Sequence, residues 1–233
     1  MEQITFIVII FSVVIMIVFF SFYFSKGAIV KRKLRKAPVR RITDFRSGET
    51  GRVIGKIELI DHPLQAPLSH RACAAYYIQI DQRVSTGKSS HWRNIIKEER
   101  SVAFVINDGT GLACVNKKHL KSYIVQDWRA RSGLMNDATP ELEHFLNVHG
   151  YKSENLLGMN KSIRYLEGVL EPDETVAALG NGQWRMASEL DFPDQYDRIL
   201  EIVAPEGHHV YLSDDESTVK RKNQSRYEKQ YRK

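Results

Sequence analysis

Apolar side chains run from Ile4 to Phe24 without one charged interruption. Within that stretch only Thr5, Ser12, Ser21 and Tyr23 carry polar side-chain atoms. Twenty-one helical residues rise about 31 Å, close to the roughly 30 Å hydrocarbon thickness of a bilayer. A helix packed on a soluble core would keep one polar face. This one keeps none, so residues 4–24 predict a transmembrane helix. A cleaved signal peptide fits less well, because its apolar region runs about 7–15 residues behind a positive segment. No Lys or Arg precedes Ile4.

Beyond the apolar run the pattern changes to period two. Gly51 to Leu59 alternates apolar with other residues, as a half-buried strand does. Gly51 and Gly55 inside it predict a bulge or tight bend. Further strands are expected at Ala74–Val84, Trp92–Arg100, Val102–Ile106 and Leu112–Val115. Asp108-Gly109-Thr110-Gly111 is a hairpin-turn signal between the last two. Thr139 as N-cap, Pro140 at the first helical position and Glu141 and Glu143 in the first turn predict a helix that ends near Gly150. Its apolar face is Leu142, Phe145, Leu146 and His149. Strands resume at Lys161–Leu170, Thr175–Leu179, Ile199–Val203 and Val210–Leu212. The expected fold is mainly β, a small antiparallel barrel or sandwich with an OB-like barrel among its forms, interrupted by a helical insertion. The tail from 213 to 233 is polar and reads as disordered.

Charge divides the chain in the same places. Lys26, Lys31, Arg32, Lys33, Arg35, Lys36, Arg40 and Arg41 follow the apolar run with no acidic residue among them. Lys and Arg near a span mark its cytoplasmic side, which predicts an outside N-terminus and a cytoplasmic body. Residues 25–41 read as a basic juxtamembrane linker whose eight cations meet anionic headgroups, at about 1 kcal/mol each. Of the net +6, that linker supplies +8 and the tail +3, so residues 42–212 sum to −4 once Glu2 is counted. A nucleic-acid-binding domain carries its basic stripe on the fold itself, so this balance disfavours that class.

Part of the body carries a recognisable pattern. The run Asp61-His-Pro63-Leu64-Gln-Ala66-Pro67-Leu68-Ser69, then Cys73 and Tyr76-Tyr77, resembles the GIDE domain, also called the beside-a-membrane domain. Trp92, Glu98-Glu99-Arg100, Asp108-Gly109-Thr110-Gly111 and Tyr165–Leu170 continue the resemblance across residues 48–180. The best-known members are mulan-type mitochondrial RING E3 ubiquitin ligases, in which the domain lies between two spans and a RING follows. Here no second apolar run of that length follows Phe24, and residues 116–233 contain no cysteine to build a RING. The implied ubiquitin transfer therefore does not carry over. The motif residues Pro63, Ala66, Pro67, Leu68, Ser69, Cys73, Asp108, Gly109 and Gly111 read as structural.

Candidate chemistry is thin. Cys73 near His62, His70 and Asp61 could form a thiol nucleophile and base, but a strand-opening cysteine usually packs as a small hydrophobe. Cys73 and Cys114 are too few for a disulfide framework or a zinc site by themselves. His208-His209 lacks a third ligand nearby. The expected function is a non-catalytic, membrane-anchored binding or scaffold module without cofactor or metal. Its expected partners are the bilayer, anionic headgroups and a protein. The alternatives are a ubiquitin-ligase-related component or a cysteine-dependent enzyme.

Overall fold

The computed structural model describes residues 2–133, 136–155 and 158–220. Helix α1 (Glu2–Tyr23) holds the apolar run and is long and apolar enough to cross a membrane. None of that segment is buried inside the protein. Burying one large apolar side chain is worth about 1.5–3 kcal/mol, and in water this helix would forgo that along its whole length.

Residues 25–41 differ from the expected linker. After Phe24, Ser25 caps a second helix, α2 (Lys26–Lys36), its hydroxyl accepting from the Ala28 amide at 3.3 Å. Val30 and Leu34, one helical turn apart, are fully buried against Ile54, Ala177, Leu179 and Tyr211 of the body. Those two apolar residues are enough to dock the helix, because every basic residue can point away from the buried stripe. A 3₁₀ turn at Ile42–Asp44 then leads into the first strand.

The body contains β1 (Thr50–Leu59), β2 (Leu64–Gln65), β3 (Ala72–Cys73), β4 (Ala75–Ser85), β5 (Ser90–Ser101), β6 (Phe104–Asn107), β7 (Leu112–Val115), β8 (Leu120–Tyr123) and β9 (Trp128–Ser132). Helix α3 (Pro140–Val148) follows, then β10 (Ile163–Leu170), β11 (Thr175–Met186), β12 (Arg198–Val203), β13 (Val210–Ser213) and α4 (Glu216–Val219). The larger sheet runs β1-β6-β7-β12-β11-β13-β8, and β1 also pairs with β11. β1 thus changes partner along its length, pairing β11 over Thr50–Lys56 and β6 over Lys56–Leu59. Gly55 sits at the change, where a Cβ would collide with the Asn107 carbonyl oxygen. The glycine permits that close approach of the two strands, and the β1 pairings run in continuous register without a bulge.

The larger sheet is mixed rather than purely antiparallel. β12 pairs β7, and β13 pairs β8, in parallel. Parallel neighbours need a long connection, and here the chain between β7 and β12 builds half of a second sheet. That sheet, β5-β4-β10-β9, is antiparallel throughout. One face is covered by Leu142, Phe145 and Leu146 of α3, packed on Ile78, Ile80, Ile163 and Tyr165. Thr139 caps α3 as the sequence predicts, accepting from the Leu142 amide at 3.3 Å. The opposite face carries Tyr77, Gln79 and Asp81 of β4 beside Glu99, Lys97 and Asn94 of β5.

The chain also stays folded beyond the expected start of the tail. Ser213 ends β13 and is fully buried. The Asp215 carboxylate accepts from the Ser217 amide at 3.0 Å and opens α4. Thr218 is buried, and its carbonyl accepts from Arg52 Nη1 at 2.9 Å. The remainder of the expected tail, 221–233, lies outside the described residues.

Candidate membrane-proximal site

The eight basic residues after the apolar run divide by what they touch. Lys26 Nζ lies 3.4 Å from Glu99 of β5, Lys31 Nζ 3.3 Å from Asp215, and Arg40 Nη2 2.5 Å from Glu49. Arg32 turns back instead. It donates to the Tyr23 carbonyl at 3.2 Å, with its guanidinium 4.1 Å from the centre of the Tyr23 ring. Lys33, Arg35, Lys36 and Arg41 are exposed. Half of the set thus contacts neighbouring groups, three of them from α2, and half faces outward.

Where α2 meets the second sheet there is a cavity of about 200 Å³. Lys26 and Gly27 of α2, Tyr77 and Gln79 of β4, and Lys97 of β5 line it, with Ser122 and Tyr123 of β8 and Ile124 and Gln126 beyond it. The Nζ atoms of Lys26 and Lys97 lie 6.0 and 5.7 Å from the centre of the Tyr77 ring, within cation–π range. Tyr123 forms a second aromatic wall. A Cβ at Gly27 would come within 2.5 Å of its ring, so the glycine permits that contact. Lys31 Nζ covers the same ring at 4.9 Å.

Behind the cavity a polar chain crosses the open face. The Tyr77 hydroxyl donates to Gln79 Oε1 at 3.0 Å, and Gln79 Nε2 donates to Asp81 at 3.1 Å. Asp81 is buried and also accepts from Asn94 at 3.0 Å and Arg164 at 2.8 Å. Burial favours its neutral form, but those donors outweigh burial and hold its pKa below the ordinary carboxylate value. Burial, reinforced by Glu99, pushes the Tyr77 hydroxyl up to about 12, so it stays protonated as a donor.

The motif residues fall elsewhere. Ala66 and Leu68 are buried, and the fully buried Glu167 of β10 receives the Leu68 and Ser69 amides at 2.9 and 3.0 Å. Pro63 and Pro67 flank the short β2 strand, whose Leu64 pairs with Cys73. Cys73 has no solvent exposure, and burial pushes its thiol up to about 11. A nucleophilic cysteine needs access and a lowered pKa, and Cys73 has neither. Asp108 organises its turn by accepting from the Thr110 amide at 2.8 Å and the Gly111 amide at 3.1 Å. Its other oxygen receives the Ile42 amide at 2.8 Å, which fixes the entry to β1. Gly109 has φ +82°, and Gly111 leaves room for Ile42.

A larger cavity of about 480 Å³ holds His119, His208 and His209. The His119 and His209 ring centres are 6.4 Å apart. Among the described residues no group of three His, Cys, Asp or Glu is placed to hold a metal ion.

Sequence reasoning found Lys26 but missed Tyr77, Lys97 and Tyr123 as its companions. Tyr77 and Lys97 converge only through the β4–β5 register, which shifts between Ile80 and Asp81. Nothing in their spacing announces that shift. Compared with known proteins, the chain matches no family model, no curated protein and no solved structure.

Proposed function

We propose that this chain is a single-pass membrane-anchored protein whose body is a non-catalytic binding module held at the cytoplasmic membrane surface. The observation that carries the reading is the continuous path from α1 through α2 into the body. Only Phe24 and Ser25 separate the two helices, Arg32 bridges them, and Val30 and Leu34 seat α2 on the sheet. That connection supports a body held close to the bilayer that the apolar helix would span. That placement suits the GIDE-like reading. The eight cations after the span support an outside N-terminus. The pairing cycle β1-β6-β7-β12-β11, with β7 and β12 parallel, supports an OB-like barrel as the core of the module.

Reporter fusions at the C-terminus test the topology. The expected result is activity from a cytoplasmic reporter and silence from one that works only outside. The reverse pattern, or release of the chain from membranes by alkaline extraction, would overturn the reading.

A further inference from the structure

We propose that the cavity between α2, β4, β5 and β8 binds the phosphate of an anionic phospholipid headgroup, an assignment that rests on the membrane-anchored reading above. Its position is the first argument. Lys26 and Gly27, which form one wall, lie in the first turn of α2, immediately beyond the end of the apolar helix. A residue just past a span lies at headgroup depth.

Charge is the second argument. Lys26 and Lys97 line the cavity, and no acidic residue does. Glu99, 3.4 Å from Lys26 Nζ, offsets one of the two ammonium groups and leaves the other unmatched. Lys31, on the outer side of Tyr123, is matched by Asp215. The surplus cation attracts an oxyanion and repels the quaternary ammonium of a choline headgroup, although aromatic walls alone would suit either.

Size is the third. A cavity of about 200 Å³ falls below the roughly 300–1,000 Å³ of sites that enclose a drug-sized ligand or cofactor. A phosphate with a few waters, each taking about 30 Å³, fits. Tyr77, Tyr123 and Ile124 then offer apolar contact to the glycerol carbons beside it.

The test is calorimetric titration of the full chain in neutral detergent micelles. The probes are short-chain phosphatidic acid, short-chain phosphatidylcholine and glycerol 3-phosphate. Saturable binding of phosphatidic acid is expected, with phosphatidylcholine about tenfold weaker or worse. Lys97→Gln should weaken phosphatidic acid by about tenfold while its melting temperature stays unchanged, since Lys97 is exposed. Arg35→Gln, on the outward side of α2, should leave the affinity as it was. Equal affinity for phosphatidylcholine, or an equal loss from Arg35→Gln, would overturn the proposal in favour of diffuse surface attraction. Equally tight glycerol 3-phosphate would overturn the lipid assignment in favour of a free phosphate ester. The titration does not depend on topology, and the fusion experiment does not depend on this cavity, so the two readings can fail separately.

Discussion

Glu167 receives the backbone amide of Leu68 at 2.9 Å, joining residues ninety-nine positions apart in the chain. Its second oxygen takes the Ser69 amide at 3.0 Å. A fully buried carboxylate therefore holds the Pro67 loop against β10. Glu167→Gln leaves one oxygen to accept and turns an NH₂ group toward the other amide. The expected cost is about 2–3 kcal/mol, because a buried amide loses its charged partner. Chemical denaturation of the full chain would measure it. An unchanged midpoint would mean that the loop holds itself.

Asp214 gives the protein a pH-dependent stability. Both its oxygens accept from the Val125 amide, at 2.9 and 3.0 Å. Burial, with Glu174 adding repulsion, raises its carboxyl from the ordinary 3.8 to about 7. Between those two values the folded chain holds a proton that the unfolded chain has lost. Stability must then fall as pH rises through that window and level off above it. The loss is on the order of 4 kcal/mol. Asp214→Asn should flatten this part of the profile, and melting curves from pH 4 to 8 would show whether it does. A variant that keeps the wild-type slope would assign the dependence to another group.

Both cysteines should be slow to react in the native protein. Burial pushes Cys73 up to about 11 and Cys114 up to about 12, so neither supplies much thiolate at neutral pH. Cys73→Ala should cost about 1 kcal/mol, whereas Cys73→Asp should cost several by burying a charge. Labelling that speeds up only under denaturing conditions is the expected result. Rapid native labelling would show the site to be open.

Gly27→Ala sets two effects against each other. Alanine in a helix is favoured over glycine by about 1 kcal/mol. The new Cβ would meet the Tyr123 ring at 2.5 Å, and overpacking of this kind costs about 1–3 kcal/mol. Tyr123 also carries Lys31 on its ring, so its movement disturbs a second contact. Net destabilisation is expected in thermal melts. A rise in melting temperature would mean that Tyr123 yields freely.

The strands were the legible part of this chain. Period-two alternation placed β1, apolar and aromatic runs between turn signals placed β4, β5, β6 and β7 within a few residues, and cap chemistry placed α3 at Pro140. Helix α2 was hidden because its six charges obscure the single pair Val30 and Leu34. β8 and β9 were missed because they are short and interrupted by Lys121, Arg129 and Arg131. Their stability comes from distant partners, β13 and β10, which no local pattern reveals. The cavity beside α2 was hidden for the same reason. It is assembled from four elements that only the three-dimensional pairing brings together.

Only Phe24 and Ser25 separate the apolar helix from α2, and Arg32 ties the two helices together. An apolar helix longer than the local hydrocarbon thickness relieves the mismatch by tilting. With α2 clamped to the sheet at one end and to Tyr23 at the other, that tilt would be passed on as a rotation of the whole body. Bilayer thickness would then set which part of the open sheet face meets the headgroups. In a bilayer, membrane thickness would thereby become a determinant of how the body is oriented.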